Sequence, residues 1–167
     1  MVFSAPVRLW LLPNAALLAT LALRGIVRYP HLPARIPQHI GSDGVDAWTD
    51  RSIGSAFALV FVYVGVTVLL TAAAELSEEA APFGNGLVRS SLNRPRTRAS
   101  ALRTARALLV LNACSGVSLL IGSGVLWRST ADPEVPGWMF PAMLLPLLAG
   151  IALTVLAAVR DRRTPVN

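Results

Sequence analysis

Four stretches of this chain, Leu9–Tyr29, Ile53–Ala74, Ala107–Trp127 and Gly137–Val159, are nearly continuous apolar sequence, and the last three contain no charged residue. A bilayer core offers no water to backbone N–H and C=O groups, so a segment crossing it must close its own hydrogen bonds, and about 20 residues of helix cover the distance. The sequence predicts an all-α integral membrane protein, with four transmembrane helices bundled in a single membrane domain over residues 1–167. Composition points the same way: 54% of residues are hydrophobic and 14% charged, with mean hydropathy +0.57, whereas soluble domains carry about 25% charged residues. A disordered chain and a disulfide scaffold are both excluded, the latter because Cys114 is the one cysteine and has no partner. The first run meets Arg24 and Arg28 near its end and lacks a clean A-x-A site, so it is read as a retained span rather than a cleaved leader.

All fifteen basic residues are arginine, and they give a net charge of +6. They flank the apolar runs instead of lining a polar helix face, so the charge describes membrane topology and not nucleic-acid binding. With both termini cytoplasmic, ten of the fifteen lie inside: Arg8, Arg89, Arg94, Arg96, Arg98, Arg103, Arg106, Arg160, Arg162 and Arg163. Residues 30–52 then form an outer loop, 75–106 a cytoplasmic linker, 128–136 a second outer loop and 160–167 a cytoplasmic tail. The linker contains Pro82, Gly84, Gly86 and Pro95, and from Arg96 onward its Ala-rich sequence suits a surface helix running into the third span. Trp10, Trp127 and Trp138 fall near span ends, where an indole anchors at headgroup depth with its N–H wet.

No Asp or Glu lies deep in any span, which disfavours a proton-coupled exporter. Weaker polarity recurs at helical spacing in Tyr63, Thr67, Thr71 and Glu75, and Asn112, Gly116 and Ser123 mark one side of the third span. The first stripe suits interhelical hydrogen bonding, with the lining of a polar crevice as the alternative, and the second suits close helix packing. Pro13 beside Asn14, and Pro141 with Pro146, interrupt the helical ladder and leave carbonyls for neighbours to satisfy.

The outer loop is unusual for a connector. Pro30, Pro33 and Pro37 stiffen its first half, and His39, Asp43, Asp46 and Asp50 follow with Gly41 and Gly44 among them. Tyr29-Pro30, Leu32-Pro33, Ile36-Pro37, His39, Gly44, Asp46, Trp48 and Arg51, placed between a first and a second span, resemble the domain of unknown function found at the N-terminus of SdpI-like immunity proteins. The resemblance covers about residues 8–75. Gly41 stands where that family often has Asn, and the Gly44 to Asp46 spacing is one residue short. The resemblance implies a multi-pass protein of the bacterial plasma membrane with this loop outside, in a group associated with protection from a secreted peptide toxin and with sensing it.

Two functional readings follow. In the first, the loop recognises a peptide, a lipid or another membrane protein, without catalysis, through Tyr29, Pro33, Pro37, His39, Gly44, Asp46, Trp48 and Arg51. Trp48 is then an apolar anchor, and His39, Asp46 and Arg51 form one clasp that holds the loop to Arg24 or Arg28. In the second, His39 is a general base or metal ligand, with Asp43, Asp46 or Asp50 as oxygen ligands to a divalent metal or as the carboxylate that orients the imidazole. No organic cofactor motif is present. The partners expected are the lipid bilayer, possible secreted-peptide or membrane-protein ligands, and a second copy of the chain through Gly- and Ser-bearing helix faces.

Overall fold

The computed structural model describes residues 5–41, 44–79, 97–128 and 134–163. A short helix α1 (Ala5–Arg8) leads into α2 (Leu11–Arg28) and a 3-10 turn over Tyr29–His31. Two strands follow, β1 (Arg35–Gly41) and β2 (Gly44–Asp50), then a short α3 (Ile53–Ala56) and the long helices α4 (Ala58–Glu79), α5 (Arg98–Leu126) and α6 (Met139–Arg163). Four of these helices are long and apolar enough to cross a membrane, so the chain is a multi-pass membrane protein. The stretch between the first two spans is a β-hairpin. The sequence reading expected a stiff, structured loop there, and the added finding is its strand pairing.

Helix starts are set by local capping. The Ser52 hydroxyl accepts from the Ser55 amide at 3.1 Å while the Ser55 hydroxyl accepts from the Ser52 amide at 2.9 Å, and Thr97 and Ser100 repeat this exchange at the start of α5. Helix α5 therefore begins inside the segment read as linker and runs unbroken into the third span, as the Ala-rich sequence after Arg96 suggested. Helix α4 likewise extends past Ala74 to Glu79. The prolines, glycines and Arg89, Arg94 and Arg96 of the intervening segment lie outside the described residues, as do Asp43 and the end of the tail.

Helix α5 is central: α2, α4 and α6 all pack on it. At one end Val7, Ala74, Ala105 and Leu109 form a small core. At the other, Leu21, Val60, Tyr63, Leu126 and Trp127 form a larger core that also takes Leu32 and Ile36 from the hairpin segment. Leu, Ile, Val and Phe side chains elsewhere on α2, α4 and α6, including Leu12, Phe61, Val68, Leu145 and Leu148, point outward. An apolar exterior of this kind faces lipid rather than water.

Buried polar groups lie between the two cores. Asn14 donates from Nδ2 to the Trp10 carbonyl at 2.7 Å and to the Leu109 carbonyl at 3.1 Å. Tyr63 donates its hydroxyl to Asn14 Oδ1 at 3.5 Å, and Thr67 Oγ1 lies 3.2 Å from both amide atoms of Asn112. The Tyr63–Thr67 part of the predicted polar stripe is thus interhelical, joining α4 to α2 and α5. Gly116 makes the approach possible, because a Cβ there would fall well inside the Tyr63 hydroxyl. On α6, Pro146 removes the donor for the Ala142 carbonyl, and one residue on, Ser118 donates to the Met143 carbonyl at 2.6 Å.

Trp127 departs from the anchor role. Its ring is buried in the larger core, 3% exposed, and its Nε1–H donates to the Ala56 carbonyl at 2.8 Å. An indole so placed ties the end of α5 to α3, and its N–H is satisfied by protein, not by headgroup water. Trp10 and Trp138 remain exposed, as an interfacial residue should.

Candidate functional site

Turn and bulge chemistry builds the hairpin. Gly44 has φ of +124°, a backbone region that other residues adopt only under strain, and it opens β2 opposite Gly41. Pairing runs from Arg35 with Asp50 at the base to Gly41 with Gly44 at the tip. Two irregularities break it: Gln38 is extra on β1 between the Pro37–Trp48 and His39–Ala47 pairs, and Asp46 is extra on β2 between the Ala47 and Val45 pairings. The two insertions cancel, so the register is restored at the tip, while the side chains between them are re-aimed.

That re-aiming brings His39 and Asp46 together. His39 Nδ1 lies 2.6 Å from Asp46 Oδ1, and their side chains are 69% and 57% exposed. Gly41 leaves the room, since a Cβ at that position would meet Asp46 Oδ2 at 3.1 Å. With Asp46 accepting from Nδ1–H, Nε2 is the His39 nitrogen left for a further partner.

Arg51 does something else. Its guanidinium donates to the Leu32 carbonyl and stands 5.8 Å from the centre of the Tyr29 ring, while its amide donates to the Ala34 carbonyl at 2.8 Å. Tyr29 in turn packs on Phe57 with ring centres 6.0 Å apart. The single clasp expected of His39, Asp46 and Arg51 is therefore two devices: a pair near the tip and a clamp at the base. Asp46 engages His39 and not Arg24 or Arg28, because the bulge turns its carboxylate across the hairpin.

The remaining candidates fall around these two devices. Pro37 is buried, Pro33 half-buried, and Trp48 is half-buried opposite Pro37 in the ladder. Asp50 pairs loosely with Arg35, 3.9 Å away, at the base of the hairpin and away from His39. Among the described residues no group of three His, Cys, Asp or Glu side chains forms.

Sequence reasoning did not find the cavity beneath the hairpin, about 250 Å³ in volume. Pro37, Gln38, His39, Ile40 and Thr49 line it from the hairpin, with Ser55 of α3 beside them. Ala58 and Leu59 of α4, Leu119, Gly122 and Leu126 of α5, and Met139, Phe140 and Met143 of α6 complete it. No periodicity within one helix signals such a cavity, because its walls come from six elements.

Comparison with known proteins bears on the hairpin directly. No curated protein and no solved structure matches the chain. Residues 15–64, from α2 through the hairpin into α4, match the family described as Domain of unknown function (DUF1648).

Proposed function

We propose that this is an SdpI-like protective or sensing protein of the bacterial plasma membrane, which recognises a secreted peptide or a membrane partner through its hairpin, on the extracytoplasmic side. One observation carries the reading. Two bulges and a glycine bring His39 and Asp46 to 2.6 Å while leaving both largely exposed. An exposed pair adds little to stability, about 0–1 kcal/mol, so the arrangement is better explained by presentation to a ligand. The docked face beneath, with Ile36 and Leu32 in the bundle core, keeps that display at a fixed height over the spans. The match over residues 15–64 supports the family resemblance in this region.

The test is a protection assay. A sensitive bacterium expressing the protein is challenged with secreted peptide toxins, alongside His39→Ala, Asp46→Asn and Trp48→Ala variants at equal membrane abundance. Protection by the parent, reduced in the variants, is the expected result. Equal sensitivity with and without the parent protein would count against it.

A second reading is favoured by the imidazole geometry alone. A carboxylate on Nδ1 with Nε2 free is the orientation that metal-ligating and general-base histidines share. Under it His39 and Asp46 are the catalytic or metal-holding residues, with Asp43 a further candidate. Elemental analysis of the purified protein beside His39→Ala, after equilibration with zinc, checks it: near-stoichiometric zinc lost in the variant is expected, and equal zinc in both would refute it.

A further inference from the structure

The cavity under the hairpin is divided by polarity. Its polar lining side chains, Gln38, His39, Thr49 and Ser55, all come from the hairpin and the short α3 that follows it. The walls from α4, α5 and α6 offer only apolar side chains and Gly122. The hairpin is the polar cap at one end of four helices long and apolar enough to cross a membrane, so this division lies along the direction in which a bilayer passes from headgroup to hydrocarbon.

Access is lateral. Helices α4 and α6 each pack chiefly on α5, which leaves the cavity between them, under β1. Outward-facing Phe61 and Val62 on α4, and Leu144 and Leu148 on α6, mark those helices as lipid-exposed below it. Met139 and Met143 give one wall unbranched, adaptable side chains that suit a flexible chain. A soluble polar ligand would find few partners among these walls, whereas an amphiphile satisfies both halves.

We propose that this cavity takes an acyl chain of a bilayer phospholipid, entering between α4 and α6, with the lipid's polar head held by His39 and Gln38. The assignment rests on the reading of the hairpin as a recognition element and names a ligand class for it. The lipid would then be part of the surface that the hairpin presents, since the residue that holds the head also carries the Asp46 pair.

The experiment uses the full chain in phosphatidylglycerol vesicles doped with a phospholipid bearing a photoreactive diazirine on one acyl chain, with no peptide added. Crosslinks are mapped by mass spectrometry. They should concentrate on Leu59, Leu119 and Met143. Ala58 lies on the cavity wall with an exposed side chain, so Ala58→Trp fills the space without disturbing the buried core. Excluding even two methylenes from an apolar site lowers occupancy about tenfold, and labelling of the three residues should fall by about that factor. Leu119→Trp fills the cavity from α5 and should act alike, while Leu148→Trp on the outward face of α6 should leave labelling unchanged.

Equal labelling in Ala58→Trp and parent, or crosslinks confined to outward residues such as Leu148, would overturn the proposal. So would displacement of the probe by a hydrophobic peptide but not by excess unlabelled phospholipid. Because labelling needs no toxin, its failure is distinguishable from a failure of the protection assay.

Discussion

Gly116 and Gly65 separate two reasons for a glycine in a membrane helix. A Cβ at Gly116 would collide with the Tyr63 ring, whereas at Gly65 it would meet nothing within 4 Å. Replacing glycine by alanine in a helix interior otherwise gains about 1 kcal/mol. Gly65→Ala should thus hold or slightly raise thermal stability in detergent. Gly116→Ala should lower it by about 1–3 kcal/mol through overpacking, and it should also disturb the Tyr63 contact to Asn14. Equal melting temperatures for the two variants would show that α4 and α5 slide apart easily. Trp127 makes a second case at this scale. Trp127→Phe keeps most of the buried ring but leaves the Ala56 carbonyl without its donor, and should cost about 1–3 kcal/mol. Loss of no more than a few tenths would mean that lipid or water takes the carbonyl. The sequence placed Trp127 at a span end correctly, and burial could not be read there because an interfacial indole and a core indole occupy the same position in a one-dimensional pattern.

Among the elements, the hairpin depends on its docked face more than on its ladder. Ile36 is fully buried among bundle residues, while the Arg35–Asp50 pair at the base is highly exposed. Ile36→Ala should cost about 2–5 kcal/mol and speed trypsin cleavage at Arg35 and Arg51, with the spans still protected. Asp50→Ala should change the cleavage rate little, since an exposed pair contributes about 0–1 kcal/mol. Comparable cleavage of both variants would show that the base pair, not the apolar face, holds the hairpin. The spans were legible because the bilayer imposes a length and a polarity that local sequence must meet alone. Strand pairing was not, although Asp43-Gly44 is a turn dipeptide flanked by Ile40 and Val45. Pro33 and Pro37 argue against a strand in any central position, and only a two-stranded sheet, all edge, accommodates Pro37. The His39–Asp46 contact depends on bulges at Gln38 and Asp46, which shift the pairing by one residue and so escape a reading by spacing.

For the molecule as a whole, the fold sorts the arginines by end. Arg24, Arg28, Arg35, Arg51 and Arg128 belong to the hairpin end, where α2 finishes and α5 stops. Arg8, Arg98, Arg103 and Arg106 belong to the opposite end, together with Arg160, Arg162 and Arg163 at the close of α6. Of these twelve described arginines, seven lie at the end opposite the hairpin. Basic residues near span ends are retained in the cytoplasm whatever acidic residues accompany them, and Glu75 and Glu78 at the same end do not alter the expectation. Because Cys114 is the one native thiol, a Cys114→Ser chain carrying a single new cysteine reports the side directly. Ala34→Cys, exposed at the hairpin base, should react with a membrane-impermeant maleimide added to intact cells. Ala99→Cys, exposed in the first turn of α5, should react only after the cells are opened. The reverse pattern would put the hairpin in the cytoplasm, and a secreted peptide would then have to cross the membrane before meeting His39 and Asp46. Labelling of both sites in intact cells would mean that the chain inserts in two orientations, so that its arginines, although sorted by the fold, do not decide its direction.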